Sequence, residues 1–67
     1  MKFKELEVVR TTVSFPEFNI NKGDSGTIVI AFTSPHEAYE VEFVCKNGST
    51  KAMFAILPEH LELIYSE

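Results

Sequence analysis

The candidates of the usual kind for a nucleophile and its base in this 67-residue chain are the thiol of Cys45 and the imidazoles of His36 and His60. A thiol becomes a nucleophile when an imidazole within hydrogen-bond reach takes its proton and a third group orients that imidazole. Here the three lie on separate segments. His36 follows Pro35 in a polar turn, Cys45 ends an alternating run, and His60 comes shortly after Pro58. By parity Cys45 shares a face with Tyr39, Val41 and Phe43, so it reads as a small buried hydrophobe, and the two histidines read as solvated or capping side chains. One cysteine and two histidines at these spacings match no zinc ligand pattern. Glu40 and Glu42 would stand roughly 7 Å apart on one face of a strand. That spacing suits paired carboxylates in a cleft, but on the outer face of a sheet it is where solvated charges sit. Gly23 and Gly26 fall short of the Gly-x4-Gly-Lys-Ser/Thr phosphate loop and lead into a strand instead of a helix, so they read as turn glycines free to adopt positive φ. No catalytic residue, cofactor or metal is expected, and the chain reads as a non-enzyme.

Composition narrows the remaining classes. A chain of 67 residues, 45% hydrophobic and 24% charged, makes one small folded domain over residues 1–67, with a modest core and little room for a deep pocket. The formal net charge of -4 opposes binding to a phosphate backbone, which draws on clustered Lys and Arg. The single cysteine forms no internal disulfide, which favours a reducing, cytoplasmic setting. No apolar run has the length of a signal-peptide core or a membrane span.

The elements that must position these groups are strands. Residues 5–13 are rich in β-branched types and predict a first strand, although the pattern does not decide which of Val8 and Val9 points inward. Residues 14–21, with Pro16, Asn19 and Asn21, predict a long ordered loop held down by Phe15, Phe18 and Ile20. Residues 26–33 predict a strand buried on both faces. Residues 38–45 alternate, with Tyr39, Val41 and Phe43 inward and Glu40 and Glu42 outward. Asn47-Gly48 predicts a type I′ hairpin turn into a strand over 49–56. Leu57-Pro58-Glu59-His60-Leu61 predicts a 3₁₀ turn before a last strand over 62–65. The expected fold is all-β: a small five-stranded SH3-like barrel with a long first loop and a 3₁₀ turn before the last strand.

The stretches Phe3-Lys4-Glu5-Leu6-Glu7-Val8-Val9, Phe15-Pro16-Glu17, Lys22-Gly23-Asp24-Ser25-Gly26-Thr27-Ile28-Val29, Ala38-Tyr39-Glu40-Val41-Glu42-Phe43 and Leu61-Glu62-Leu63 resemble the small prokaryotic family labelled domain of unknown function 4926. That resemblance covers almost the whole chain and implies the same barrel, similar in shape to the C-terminal barrel of the nitrile hydratase β subunit, with no assigned activity. Lys22 to Ile28 is also similar to the KOW motif of ribosomal proteins and elongation factors, whose barrels are basic where they meet RNA.

What remains is aromatic content. In SH3-like domains peptides dock on aromatic side chains between the long first loop and the 3₁₀ turn, segments that here carry Phe15, Phe18, His60 and Tyr65. These four are the candidate partner-binding residues. The expected function is binding of a protein partner in an accessory, regulatory or immunity-type role. The alternatives are a KOW-like nucleic-acid-associated barrel and an accessory to a nitrile hydratase-like enzyme. A second candidate surface is the outer face carrying Glu40, Glu42 and Lys51. Oligomeric state is open at this point.

Overall fold

A computed structural model describes residues 2–66. Five strands form one antiparallel sheet: β1 (Val8–Thr11), β2 (Ser25–Phe32), β3 (Ala38–Val44), β4 (Thr50–Ile56) and β5 (Leu61–Tyr65), in the order β4-β3-β2-β1-β5. A 3₁₀ turn, η2 (Pro58–His60), precedes the last strand, and a second, η1 (Pro16–Phe18), shapes the long first loop. This is the expected SH3-like arrangement with its seam left open, since among the described residues β4 and β5 remain the unpaired edges. A flat five-stranded sheet would hold its outer strands about 19 Å apart. Leu57 and η2 alone connect them, and a 3₁₀ turn rises only about 2 Å per residue, so the sheet curls to bring its edges together at that corner.

The curl has visible joints. Register shifts fall between Val8 and Val9 against β5, between Ile28 and Ile30 against β3, and between Phe43 and Val44 against β4, and such bulges bend and twist the strand that carries them. The concave side collects Val9, Ile28, Tyr39, Val41, Phe43, Ile56 and Leu61 from the strands, with Phe3 and Ile20 closing the two ends. Val9, not Val8, is the inward valine. The alternation of β3 holds as read, with Tyr39, Val41 and Phe43 buried and Glu40 and Glu42 on the opposite side.

Several expectations are corrected. The first strand starts only at Val8, because Lys4 to Glu7 form a turn closed by the Glu7 N–H on the Lys4 carbonyl at 3.2 Å, with Leu6 at φ 72. The second strand is buried on one face only. Val29 is the extra residue of a bulge, and beyond it Ile30 and Phe32 pair with Glu40 and Ala38 on the convex side, where both are exposed. Gly26 does not have positive φ; it is a close-approach glycine inside β2. Cys45 is exposed: the register shifts between Phe43 and Val44 and β3 ends at Val44, so the parity of Tyr39, Val41 and Phe43 does not carry on to Cys45. Lys51 is the residue without a partner at the Phe43/Val44 irregularity, and it lines a pocket with Ile20 and Phe43 instead of joining Glu40 and Glu42.

The hairpin turn is not type I′. Gly48 donates to the Cys45 carbonyl at 2.9 Å and Cys45 donates to the Ser49 carbonyl at 2.8 Å, and Gly48 at φ 88 is the loop's one positive-φ residue. That is a three-residue loop ending in a glycine bulge. Nothing lies within 4 Å of a Cβ built on Gly48, so a side chain there meets a backbone penalty and no clash. Gly48→Val is expected to lower stability by more than about 1 kcal/mol, because a β-branched residue is least tolerated at positive φ; urea unfolding of the two proteins measures it.

Candidate functional site

The long first loop is tied down from within. Phe15 and Ile20 exchange two backbone hydrogen bonds, at 2.8 and 3.2 Å, around the Pro16-Glu17-Phe18-Asn19 tip. Proline presets the first position of η1, and Asn19 closes it in the left-handed conformation at φ 57, donating to the Pro16 carbonyl at 3.0 Å. Asparagine tolerates that conformation better than most residues. The loop base is fixed by Gly23 N–H on the Thr11 carbonyl, Thr11 N–H on the Asp24 carbonyl, and Asn21 N–H on the Asp24 carboxylate. With Ile20 buried as the anchor, Phe15 at the base of the tip and Phe18 on it are presented from a hydrogen-bonded frame.

They meet a residue that the sequence did not single out. Phe54 of β4 stacks face to face with Phe18, ring centroids 3.9 Å apart and planes within 7°. Phe15 meets the same ring edge-on at 5.1 Å, and Phe43 lies at 5.6 Å on its core side. His60, on η2, packs against Phe15 at 6.3 Å. Its segment is bound to the end of β1 through Thr12 N–H on the His60 carbonyl at 2.9 Å. Phe18 remains 40% exposed while Phe15 is half-buried. The outcome is a ladder of aromatic rings running from the core at Phe43 to the surface at Phe18.

Of the four candidate residues, Phe15, Phe18 and His60 are therefore brought together. Tyr65 is not. It lies at the far end of β5 opposite Val8, five residues and about 16 Å of strand beyond His60. Phe54 was within reach of the sequence once the hairpin was placed, since antiparallel pairing from Gly48 sets it opposite the inward Val41.

Beside the ladder, Ile20, Asp24, Ser25, Phe43, Val44 and Lys51 line an open pocket of about 210 Å³. Sites that enclose a whole small molecule run to about 300–1,000 Å³, so this one has the size for a side chain of a larger partner. Cys45 sits on the hairpin, His36 in the exposed loop before β3, and His60 against Phe15. No hydrogen bond joins any two of them among the described residues, nor does any group of three His, Cys, Asp or Glu with metal-binding geometry occur there. No helix of the described residues is long and apolar enough to cross a membrane.

Two carboxylates are tuned by hydrogen bonds away from this surface. The Lys4 N–H and then the Ser66 hydroxyl hold Glu7 below the usual carboxylate range. The Tyr39 hydroxyl and then the Lys2 N–H do the same for Glu37. Both fasten the chain's outer segments to the sheet, so their chemistry is structural.

No curated protein and no solved structure matches the chain. The family model described as "Domain of unknown function (DUF4926)" matches residues 5–63, from the turn before β1 to the middle of β5. A match that runs from before β1 through β4 and η2 into β5 leaves one assignment: the chain belongs to the DUF4926 family.

Proposed function

We propose that this protein is a non-enzymatic interaction module that holds a protein partner on the surface formed by Phe15, Phe18, Phe54 and His60. The observation that carries this reading is the Phe18–Phe54 stack, an exposed aromatic ring fixed in one orientation by a hydrogen-bonded loop and a second ring beneath it. Rigid aromatic anchors dominate the energy of protein interfaces, because they bury much area and lose little side-chain freedom. A pocket of side-chain size beside Phe43, the inner ring of the ladder, supports a macromolecular ligand over a metabolite. The net charge of -4 supports a protein over a phosphate backbone. An exposed, unpaired Cys45 fits a reducing cytoplasmic setting.

Affinity capture from the native host with wild-type bait and with Phe18→Ala tests the reading. The variant is expected to lose the captured partner while its melting temperature stays close to wild type, whereas Phe43→Ala should lower both. Equal capture by wild type and Phe18→Ala would remove the aromatic surface from consideration.

A further inference from the structure

We propose that the partner docks as an added strand on the free edge of β4, with apolar side chains toward Phe18 and Phe54 and basic side chains toward Glu40 and Glu42. This rests on the aromatic surface being the binding site and specifies how it is used.

The first support is the backbone. Among the described residues β4 pairs only with β3, which leaves the hydrogen-bonding groups along its other edge without strand partners there. Edge strands are commonly blunted by charge, proline or short length. From Ala52 to Ile56 this one has none of these, and its only charged residue, Lys51, sits at the irregular start. The opposite edge is different: β5 is shorter, and Glu62 within it is engaged by Arg10 at 2.5 Å. An unpaired row of amides and carbonyls selects an extended segment, whose main chain supplies affinity and whose alternate side chains supply specificity.

The second and third supports are the two faces of that edge. On the concave side Phe54, opposite Val41, is covered by Phe18 and is only half-buried. On the convex side Met53 pairs with Glu42, and Ala55 with Glu40. Among the described residues the one ion pair is Arg10–Glu62, so neither Glu40 nor Glu42 faces a cation; Glu42 accepts only the Thr50 hydroxyl at 2.6 Å. An added strand would lie about 10 Å from β3, two strand spacings. A lysine or arginine on it can extend over the small Ala55 to the Glu40 carboxylate. The matching segment alternates apolar and basic residues. The chain's own strands, VVRT, SGTIVIAF, AYEVEFV, TKAMFAI and LELIY, contain no such alternation, so charge complementarity points to a different protein and not a second copy.

Three synthetic peptides as long as β4, one alternating valine with lysine, one alternating valine with glutamate and one rich in proline, are titrated into the ¹⁵N-labelled full chain. The valine–lysine peptide is expected to shift Phe18 and to slow solvent exchange of amides from Ala52 to Ile56. N-methylation of its alternate residues should abolish binding, and Glu40→Gln with Glu42→Gln should weaken it about tenfold. Shifts at Phe18 and His60 without protection of β4, or preference for the proline-rich peptide, would overturn the strand mode while leaving the aromatic site standing. Protection of β4 with Phe18 unmoved would overturn the apolar half of the proposal and the aromatic site with it. Concentration-dependent protection of β4 without peptide would assign the edge to a second copy, and silence toward all three peptides would end the proposal.

Discussion

Gly26→Ala is expected to cost about 3 kcal/mol, the upper end of what forcing one extra group into a packed core requires. A Cβ at this position would stand 2.7 Å from Cγ1 of Val41 and 2.8 Å from the carbonyl oxygen of Glu42, with the Phe43 ring at 3.0 Å. The nearest obstacles are a short, stiff branched side chain and backbone, neither of which can yield without opening the β2–β3 ladder. A chain of 67 residues at roughly 0.05–0.15 kcal/mol per residue has only about 3–10 kcal/mol in total. Gly26→Ala should therefore melt tens of degrees lower, and Gly26→Val, with two more methyl groups, should not fold. Gly23→Ala separates space from dihedral. Its Cβ meets nothing within 4 Å, but its φ is 94, so the cost should be the 1–2 kcal/mol or so of a left-handed alanine. Thermal unfolding of the three variants checks the order, and equal losses at Gly23 and Gly26 would refute the packing account.

The same glycine shows how far sequence reasoning reaches. Two glycines three apart marked the turn into β2, but only one serves it, and nothing in the letters says that the other lies beneath Val41 and Phe43. The alternation from Tyr39 to Phe43 was legible because a half-exposed strand writes its two faces into consecutive residues. The run Thr27 to Phe32 was not, since a bulge at Val29 leaves no mark in a β-branched segment, and it moved Ile30 and Phe32 to the convex face. Cys45 departs from its expected burial for a related reason: parity holds only while the ladder stays regular, and the irregularity after Phe43 ends it before Cys45 is reached. Of the site, the loop phenylalanines and His60 could be picked out as aromatics outside strand cores. That Phe18 lies on Phe54 depends on how the loop folds back, and this is set by Ile20 burial and the Phe15–Ile20 bridge, contacts between positions with no shared periodicity.

Tyr39 carries the other large effect, because its ring and its hydroxyl do separate work. The ring is fully buried and meets Phe3 edge-on at 5.3 Å. The hydroxyl accepts the N–H groups of Lys2 and Phe3, each at 3.1 Å, and donates to the Glu37 carboxylate. Burial, and then the neighbouring Glu37, push its own ionisation above the usual tyrosine range, so it stays a donor throughout the working pH span. Tyr39→Ala is expected to cost about 3–5 kcal/mol, as large aromatic truncations in cores do, and to leave the protein close to unfolded. Tyr39→Phe keeps the ring and strands the buried Phe3 N–H, a loss of about 1–3 kcal/mol. Glu37 adds a signature in pH. Its folded pKa lies below the ordinary value of 4.5 chiefly because of this hydroxyl, so its contribution is present above the unfolded pKa and disappears as the pH falls through the folded one. The wild-type melting temperature should therefore drop on acidification below about pH 4.5, and Tyr39→Phe should drop less steeply over the same window. Melting curves from pH 7 to 2 for both proteins decide it. Parallel acid limbs would show that the Glu37 carboxylate is held by something other than Tyr39, and that the N-terminal segment is fastened mainly by the Phe3 ring.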